Sequence, residues 1–479
     1  MQLDGKSLIK IGKLRQVPSR EIRSSAVSIG MECLDRDMFD AERCYTPLGE
    51  SGVKWARIQT GWAICEQQKG VYDFSWLDHI VDRLAENGVN TWFNVSFGNP
   101  VYMGKVPGND TCVGWMPLYF GEETLQAFLN FVHALAVHFA DRVRRYELWN
   151  EPDCDNFWYP EKPDPLEYAR FILLTAPVIR QVIPDAEIGA CSSTMVRYDY
   201  TPVFIRSGIA SELDFYCFHA YGVVPEKDYD ENYTLLRRLW DSNGGKHIKL
   251  YQGEAGYASW FPEKHWLGVW KRESQTNQAK YLLRRYLLDL GKGVGMSSFF
   301  QMADMTRHDY QISGCVRPKP AKHGLLDGET YQPKRSYYAM AHICAFFDDD
   351  TSAADLHVQC SFPELPKDSP VSHLPETAVR KETFLRKGYP VYACYLPEDV
   401  QMDIPGFQSA DIWFLPDELP GVRITEPILI DLLTGIVYRP EHAERIHGSV
   451  SLLHGIPVTD YPLLITDLKA IEDRLVFCQ

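Results

Sequence analysis

The sequence predicts an α/β protein: a (β/α)8 TIM barrel over residues 25–347, followed by a β-sandwich domain over 348–479. Three observations carry this. Short apolar runs alternate with helix-period segments through the first two thirds of the chain. That alternation stops at "SYYAMAHICAFFDDD" and gives way to short strands with turn signals. A chain of 479 residues is also too long for one ordinary core, whereas a barrel of about 250 residues or more plus a smaller domain fits it.

In chain order the eight runs are "SAVSIGME" from Ser25, "GVKWARIQ" from Gly52, "GVNTWFNVSF" from Gly88 and "VRRYELWN" from Val143. They continue with "AEIGACSS" from Ala186, "LDFYCFHAY" from Leu213, "HIKLYQGE" from His247 and "GVGMSSFFQM" from Gly293. Among the intervening helices "SWLDHIVDRLAENG" is the clearest. Ser75 is expected to cap it, Leu77, Ile80, Val81 and Leu84 form one apolar face, and Gly88 ends it. "TLQAFLNFVHALAVHFADR" and "NQAKYLLRRYLLDLG" have the same period. Strands alternating with helices argue for a parallel barrel, with a doubly wound sheet as the structural alternative. After Asp350, "ADLHVQCSF", "YPVYACYL", "ADIWFL", "PILIDLLTGIVY" and "YPLLITD" predict the sandwich. Residues 1–24 form an N-terminal segment expected to pack on that sandwich, and "VRPKPAKHGLLDGETYQPK" is expected to be a loop on the barrel.

The formal net charge of −15 works against binding to phosphate backbones or anionic membranes, so neither nucleic acid nor membrane is an expected partner. No apolar run is long enough to span a bilayer, and the first twenty residues lack the apolar core of a secretion signal. The 12 cysteines are scattered without a C-x-x-C pair, which suits reduced thiols in a cytoplasmic protein. No trusted ligand spacing links the 14 histidines, and "GKGVG" at 291–295 precedes a strand where a dinucleotide loop follows one. Neither metal nor cofactor is expected. Homo-oligomerisation stays open.

The chemistry gathers at two glutamates. In such a barrel the active site lies at the C-terminal strand ends. Glu151 ends the fourth run and Glu254 the seventh, so they face each other across the mouth. Paired carboxylates across a cleft suit glycosidic cleavage. Glu147 lies deeper on the same strand and is expected to be a buried partner for Arg57. Alternation places Trp149 on the face of Glu147 and Glu151. Asp153 and Asp155 are expected to be solvated loop residues.

"WNEPDCDNFW", then "DFYCFHAYG", then "YQGEAG" resemble the clan A glycoside hydrolases, and family 39 most closely, the β-xylosidase and α-L-iduronidase group. The stretch "GVKWARIQTGW…GVYDFSWLD" adds to the likeness. The resemblance implies an O-glycosidase acting by double displacement, with Glu151 as acid/base and Glu254 as nucleophile. By the same motifs, Asn150 would bind the sugar 2-hydroxyl and Tyr221 would hold the nucleophile. His219 would line the same wall, and Arg57 would keep Glu254 ionised. Trp62, Trp158, Trp260, Trp266 and Trp270 are candidates for stacking on sugar or for packing. Asn99 is a candidate hydroxyl binder, and Glu32 with Arg36 could reach the terminal sugar.

Where many clan A members place a Trp on strand eight, this chain has Phe299, Phe300 and Gln301. Gln301 therefore joins the substrate-binding candidates, and the sugar is left open. The leading expectation is an exo-acting, retaining glycoside hydrolase of oligosaccharides or small glycosides, β-xyloside-like. The alternatives are another specificity (arabinoside, glucoside, uronide) or a barrel that binds carbohydrate without cleaving it.

Overall fold

The computed structural model describes residues 8–105, 107–260, 274–307, 310–312, 315–317, 322–362, 379–397, 408–415 and 418–478. After strand β1 (Leu8–Leu14), eight parallel strands close into a barrel. They are β2 (Val27–Gly30), β3 (Trp55–Gln59), β4 (Asn90–Val95), β5 (Arg145–Leu148), β6 (Glu187–Ser192), β7 (Phe215–His219), β8 (Lys249–Ala255) and β9 (Met296–Phe299). Each of the eight apolar runs supplies one strand. The ring closes where β9 pairs with β2, Val27 opposite Ser297, which removes the doubly wound alternative.

The helices are α1 (Glu42–Ser51), α2 (Trp62–Cys65), α3 (Ser75–Glu86), α4 (Pro100–Met103), α5 (Glu122–Phe139), α6 (Pro165–Val182), α7 (Thr201–Arg206), α8 (Tyr229–Ser242), α9 (Gln275–Gly291) and α10 (Arg335–Phe346). On α3 the face Leu77, Ile80, Val81 and Leu84 is buried, and Gly88 takes the left-handed φ of +76° just past its end. Ser75 is not the cap. It is the first helical residue, and Asp73 two positions earlier accepts its backbone N–H.

The inside of the barrel is filled. Trp92, Cys191, Phe215, Cys217, Tyr251 and Met296, from β4 and β6 to β9, form an apolar plug. Phe215 packs so closely on β6 that a Cβ at Gly189 would lie 2.0 Å from its ring, so only glycine fits there. The plug fills the barrel below the C-terminal strand ends, and Arg57 lies 5.6 Å from the Trp92 ring.

A hairpin of β10 (Tyr310–Ile312) and β11 (Cys315–Arg317) falls in the loop before α10. The C-terminal strands are β12 (Thr351–Ala353), β13 (Val358–Ser361), β14 (Arg380–Arg386), β15 (Tyr389–Tyr395), β16 (Gln408–Phe414), β17 (Pro427–Asp431), β18 (Ile436–Pro440), β19 (Ala443–Ile446), β20 (Ser449–Val458), β21 (Leu463–Asp467) and β22 (Leu475–Phe477). They form an eight-stranded sheet, β12-β14-β15-β21-β17-β18-β1-β22, and a four-stranded sheet, β13-β16-β20-β19. The N-terminal strand β1 lies between β18 and β22, with Leu8 opposite Pro440. Lys280 on α9 reaches Asp460 at 2.6 Å in a buried ion pair that joins barrel to sheets. No described helix is long and apolar enough to cross a membrane. None of the eleven cysteines with described side chains forms a disulfide.

Candidate active site

Strand β5 stops at Leu148, and the next three residues leave the strand conformation. Trp149 (φ +72°) and Glu151 (φ +45°) are both left-handed, a region that L residues enter at a cost. This breaks the alternation. Trp149 turns away from Glu147 and packs edge-on against Phe171 of α6 and against Phe97, with its indole N–H donated to the Phe157 carbonyl. The expectation that it shares the face of Glu147 and Glu151 is therefore wrong. Its rotation brings Asn150 inward instead, where the Asn150 side-chain oxygen accepts from Arg57 at 2.9 Å.

Arg57, in the middle of β3, is fully buried and organises the site. A guanidinium has five N–H donors. Nε and Nη2 clamp Glu147 at 2.7 and 2.9 Å, and Nη2 also reaches Asn150. Nη1 meets Glu32 at 2.9 Å and Glu254 at 3.0 Å. One cation thus serves three carboxylates. Burial, together with the charge on Glu254, pushes the Glu32 carboxyl up to about 7 against the pull of Arg57. Its Oε2 has no hydrogen-bond partner and lies over Gly30, where a Cβ would approach it to 2.1 Å.

Glu254 is placed by an irregularity in β8. The β7–β8 register slips at Gly253, so that Glu254, not Gly253, stands opposite His219. A bulge of this kind re-aims a side chain. The Tyr221 hydroxyl donates to Glu254 Oε1 at 2.7 Å while Arg57 holds Oε2. Tyr221 as a whole is 43% exposed, but desolvation of its inward hydroxyl and the adjacent Glu254 charge keep its pKa well above the usual range, so it remains a donor. His219 is buried between the two glutamates, with Nδ1 2.7 Å from Glu151 and 3.9 Å from Glu254. Burial disfavours its cation, but the charge on Glu254 and the bond to Glu151 outweigh this and raise its pKa. Donor atoms of Glu151, His219 and Glu254 all lie within 4.8 Å of one another. The carboxylates are thus closely opposed, and both side chains remain 14% exposed.

The same atoms could in principle hold a metal ion, as could Glu147, Cys191 and His219. The donor chemistry argues otherwise. Both oxygens of Glu147 are engaged by Arg57, whose charge repels a second cation at this distance.

Several candidates lie elsewhere. Trp62 is fully buried among Tyr102, Phe128 and Phe131, with its N–H donated to Glu66, so it packs α5 and α2 and cannot stack on sugar. Trp158 is also fully buried, edge-on to Tyr119 and Tyr168. Asn99 caps α4 through the Val101 N–H and donates to the Trp62 and Glu66 carbonyls, which leaves nothing for a hydroxyl. Arg36 is held within its own loop by Asp35, the Cys33 sulfur and Gln59. Asp153 is not solvated. It is buried and accepts from Ser192 and Ser193, tying the loop after β5 to the end of β6. The serine pair in "ACSS" is the sequence signal for that tie. Trp260 is 45% exposed, and Trp266 and Trp270 lie outside the described residues. Gln301, just past β9, is fully buried, with neither side-chain amide atom hydrogen-bonded.

Comparison with known proteins gives this geometry a context. The family model for glycosyl hydrolases family 39 matches residues 54–235, which holds Arg57, Asn150, Glu151, His219 and Tyr221. The chain resembles the family 39 glycosyl hydrolases. A β-xylosidase of Geobacillus stearothermophilus is 26% identical over 213 residues, which is 39% of this chain and 41% of that relative. The matched stretch is thus well under half of the curated relative's length. Among solved structures, a monomeric β-xylosidase from Caulobacter crescentus CB15 superposes with a TM-score of 0.54 at 16% identity, over 94% of this chain and 97% of that one. A GH39 enzyme from Xanthomonas axonopodis pv. citri gives 0.54 at 14% identity, over 96% and 97%. A family 51 α-L-arabinofuranosidase from Bifidobacterium longum also gives 0.54, at 13% identity over 95% and 96%. At these identities the superpositions show a shared fold, barrel and sandwich together.

Proposed function

We propose that this chain is an O-glycoside hydrolase that releases a terminal sugar with retention of configuration. The close opposition of Glu151 and Glu254 carries the reading. Retaining enzymes hold their carboxyl groups about 5–5.5 Å apart, and inverting ones about 6.5–9.5 Å. One oxygen of Glu151 and one of Glu254 within 4.8 Å of each other favour the shorter, retaining spacing. In the first step Glu254 attacks the anomeric carbon while Glu151 gives its proton to the departing oxygen. Water then attacks the glycosyl ester, giving a proton back to Glu151 and freeing Glu254.

The division of roles follows from the surroundings. Glu254 accepts hydrogen bonds from the Arg57 guanidinium and the Tyr221 phenol, which hold both of its oxygens in place for attack. Among the described residues the Glu151 carboxyl is hydrogen-bonded to His219 alone, which leaves its other oxygen for the departing group. Asn150, fixed by Arg57, is the proposed 2-hydroxyl contact. Glu32 and Gln301 are proposed as contacts for other ring hydroxyls. Each presents a buried polar atom without a partner, and leaving such an atom unmet costs about 1–3 kcal/mol. The low exposure of both catalytic glutamates favours a pocket for a chain end over an open groove.

The name of the curated relative makes a β-xyloside the first substrate to try, and that of the Bifidobacterium longum enzyme makes an α-L-arabinofuranoside the second. Thiols without disulfides among the described residues suit a reducing compartment such as the cytoplasm. The test is a panel of nitrophenyl glycosides in both anomeric series, with proton NMR of the first product formed. Retention supports the assignment. Inversion, or no turnover on any member, rejects it.

A further inference from the structure

His219 meets Glu151 with one ring nitrogen only. Nδ1 lies 2.7 Å from Oε1 of Glu151. The other nitrogen, Nε2, lies 3.4 Å from the sulfur of Cys191 on β6, and among the described residues that thiol is its one hydrogen-bonding neighbour. Both side chains are buried. Gly253, in the β8 bulge, closes the space behind the ring: a Cβ built there would lie 3.4 Å from Nε2 and 3.1 Å from Cys217. The sulfur is held from the outside of the barrel. The Cys191 backbone N–H donates to the Tyr168 hydroxyl of α6 at 2.9 Å, and that hydroxyl donates to the Leu148 carbonyl at 2.6 Å, at the end of β5.

A neutral imidazole has one N–H and one bare nitrogen, and the partner of each decides which is which. With the proton on Nδ1, the ring donates to Oε1 of Glu151. The carboxyl then carries its own proton on the second oxygen, which no described residue holds. With the proton on Nε2, the bare Nδ1 accepts from Oε1, and the acid proton of Glu151 faces the histidine, away from a departing group. Protonation of a leaving group needs the first arrangement, and the first arrangement needs a donor for the buried Nε2. Burial and the charge on Glu147 hold the Cys191 thiol well above its ordinary pKa, so it keeps its S–H to donate. A thiol also serves the charged ring. Burial disfavours that cation, but Glu254 and the bond to Glu151 favour it. On protonation Nε2–H donates to the sulfur, and the S–H turns to the Ser192 carbonyl 3.8 Å away. In both states Nδ1 keeps its proton.

We propose that Cys191 is a positioning residue: by donating to Nε2 it keeps the His219 proton on Nδ1, and so keeps the acid proton of Glu151 on the oxygen left for the departing group. The proposal rests on the reading of Glu151 as the acid/base. Cys191 itself is 1% exposed and lies behind the histidine, so it acts through the ring and touches no substrate.

The test joins two readouts. Heteronuclear NMR of the full chain with labelled histidines, assigned with His219→Asn and recorded where the ring is neutral, tells a protonated ring nitrogen from a bare one. The wild type should show Nδ1–H and a bare, hydrogen-bonded Nε2. Cys191→Ala should lose that fixed tautomer. Its kcat/KM, which reports the first step, should fall about tenfold on glycosides with poor leaving groups, short of the roughly 10²–10⁴-fold that a general acid supplies. On good leaving groups it should change by less than about twofold, with KM unaltered. Cys191→Ser can also donate to Nε2, so it should keep the Nδ1–H form and recover most of the loss. Nε2–H in the wild type overturns the proposal without any variant. So does a Cys191→Ala enzyme that keeps the tautomer, or one that loses kcat/KM equally across the leaving groups as its melting temperature falls. An active wild type with the Nε2–H ring sinks this proposal alone. A wild type with the Nδ1–H ring but no turnover sinks the hydrolase reading, and this proposal with it.

Discussion

Arg57 shows how much can rest on one side chain. Its five donors are divided among Glu147, Asn150, Glu32 and Glu254, so it fixes a deep carboxylate, the proposed sugar contact and the proposed nucleophile together. Replacing Glu254 by Ala should abolish turnover of aryl glycosides, with azide restoring part of it as the glycosyl azide of opposite anomeric configuration. Glu151→Ala should slow substrates with poor leaving groups far more than those with good ones, by roughly 10²–10⁴-fold. Leaving-group series on both variants check this, and equal losses across the series would reject the assignment of Glu151. Glu32 allows a pH test. Its carboxyl is raised in the fold to about 7 from the ordinary 4.5, so the folded state binds a proton that the unfolded chain releases. The stabilisation is complete below about pH 4.5 and is lost as pH rises through about 7. Glu32→Gln should flatten that decline in a melting-temperature series across this window.

At the scale of elements, periodicity was a sound guide where an element buries one face, and weaker where the chain leaves its period. The eight apolar runs and the face of α3 were legible because strand and helix periods are local properties. The turn after β5 was not. Two left-handed residues there swap the positions of Trp149 and Asn150 relative to alternation. The aromatic candidates failed for a related reason. Whether a tryptophan meets solvent or core depends on which distant segment covers it, and α5 covers Trp62 with Phe128 and Phe131. Trp62→Ala should therefore act on the fold and not on the substrate. We expect a loss of about 3–5 kcal/mol in unfolding free energy, seen in denaturant titration, with KM of the surviving enzyme unchanged. A raised KM at unchanged stability would restore Trp62 to the sugar site.

At the scale of the whole molecule, the chain joins barrel and sandwich in more than one way. Strand β1 comes before the barrel in sequence yet pairs within the C-terminal sheet, so the barrel is inserted between two pieces of it. Lys280–Asp460 is buried across the junction, and Arg386 and Arg474 both grip Asp348 at its start. Asp460→Ala leaves a buried ammonium unpaired and should cost about 3–5 kcal/mol. Because the two parts share that pair, calorimetry should show one transition moving down as a unit. Two separate transitions, with only the sandwich affected, would show that the parts fold independently.

The sequence by itself determined the (β/α)8 barrel, the sandwich that follows it, and the position of Glu151 and Glu254 at strand ends three units apart. Those features follow from local period and from the geometry of a ring, and neither needs knowledge of distant contacts. It also carried the family 39 likeness through "WNEP", "FHAY" and "QGEAG". Only the tertiary structure decided what surrounds the two glutamates. It placed His219 between them, shared Arg57 among three carboxylates, and withdrew Trp62, Trp158 and Asn99 into the interior. The physical reason is that burial and charge pairing depend on segments far apart in the chain, and only the closed fold brings those segments together.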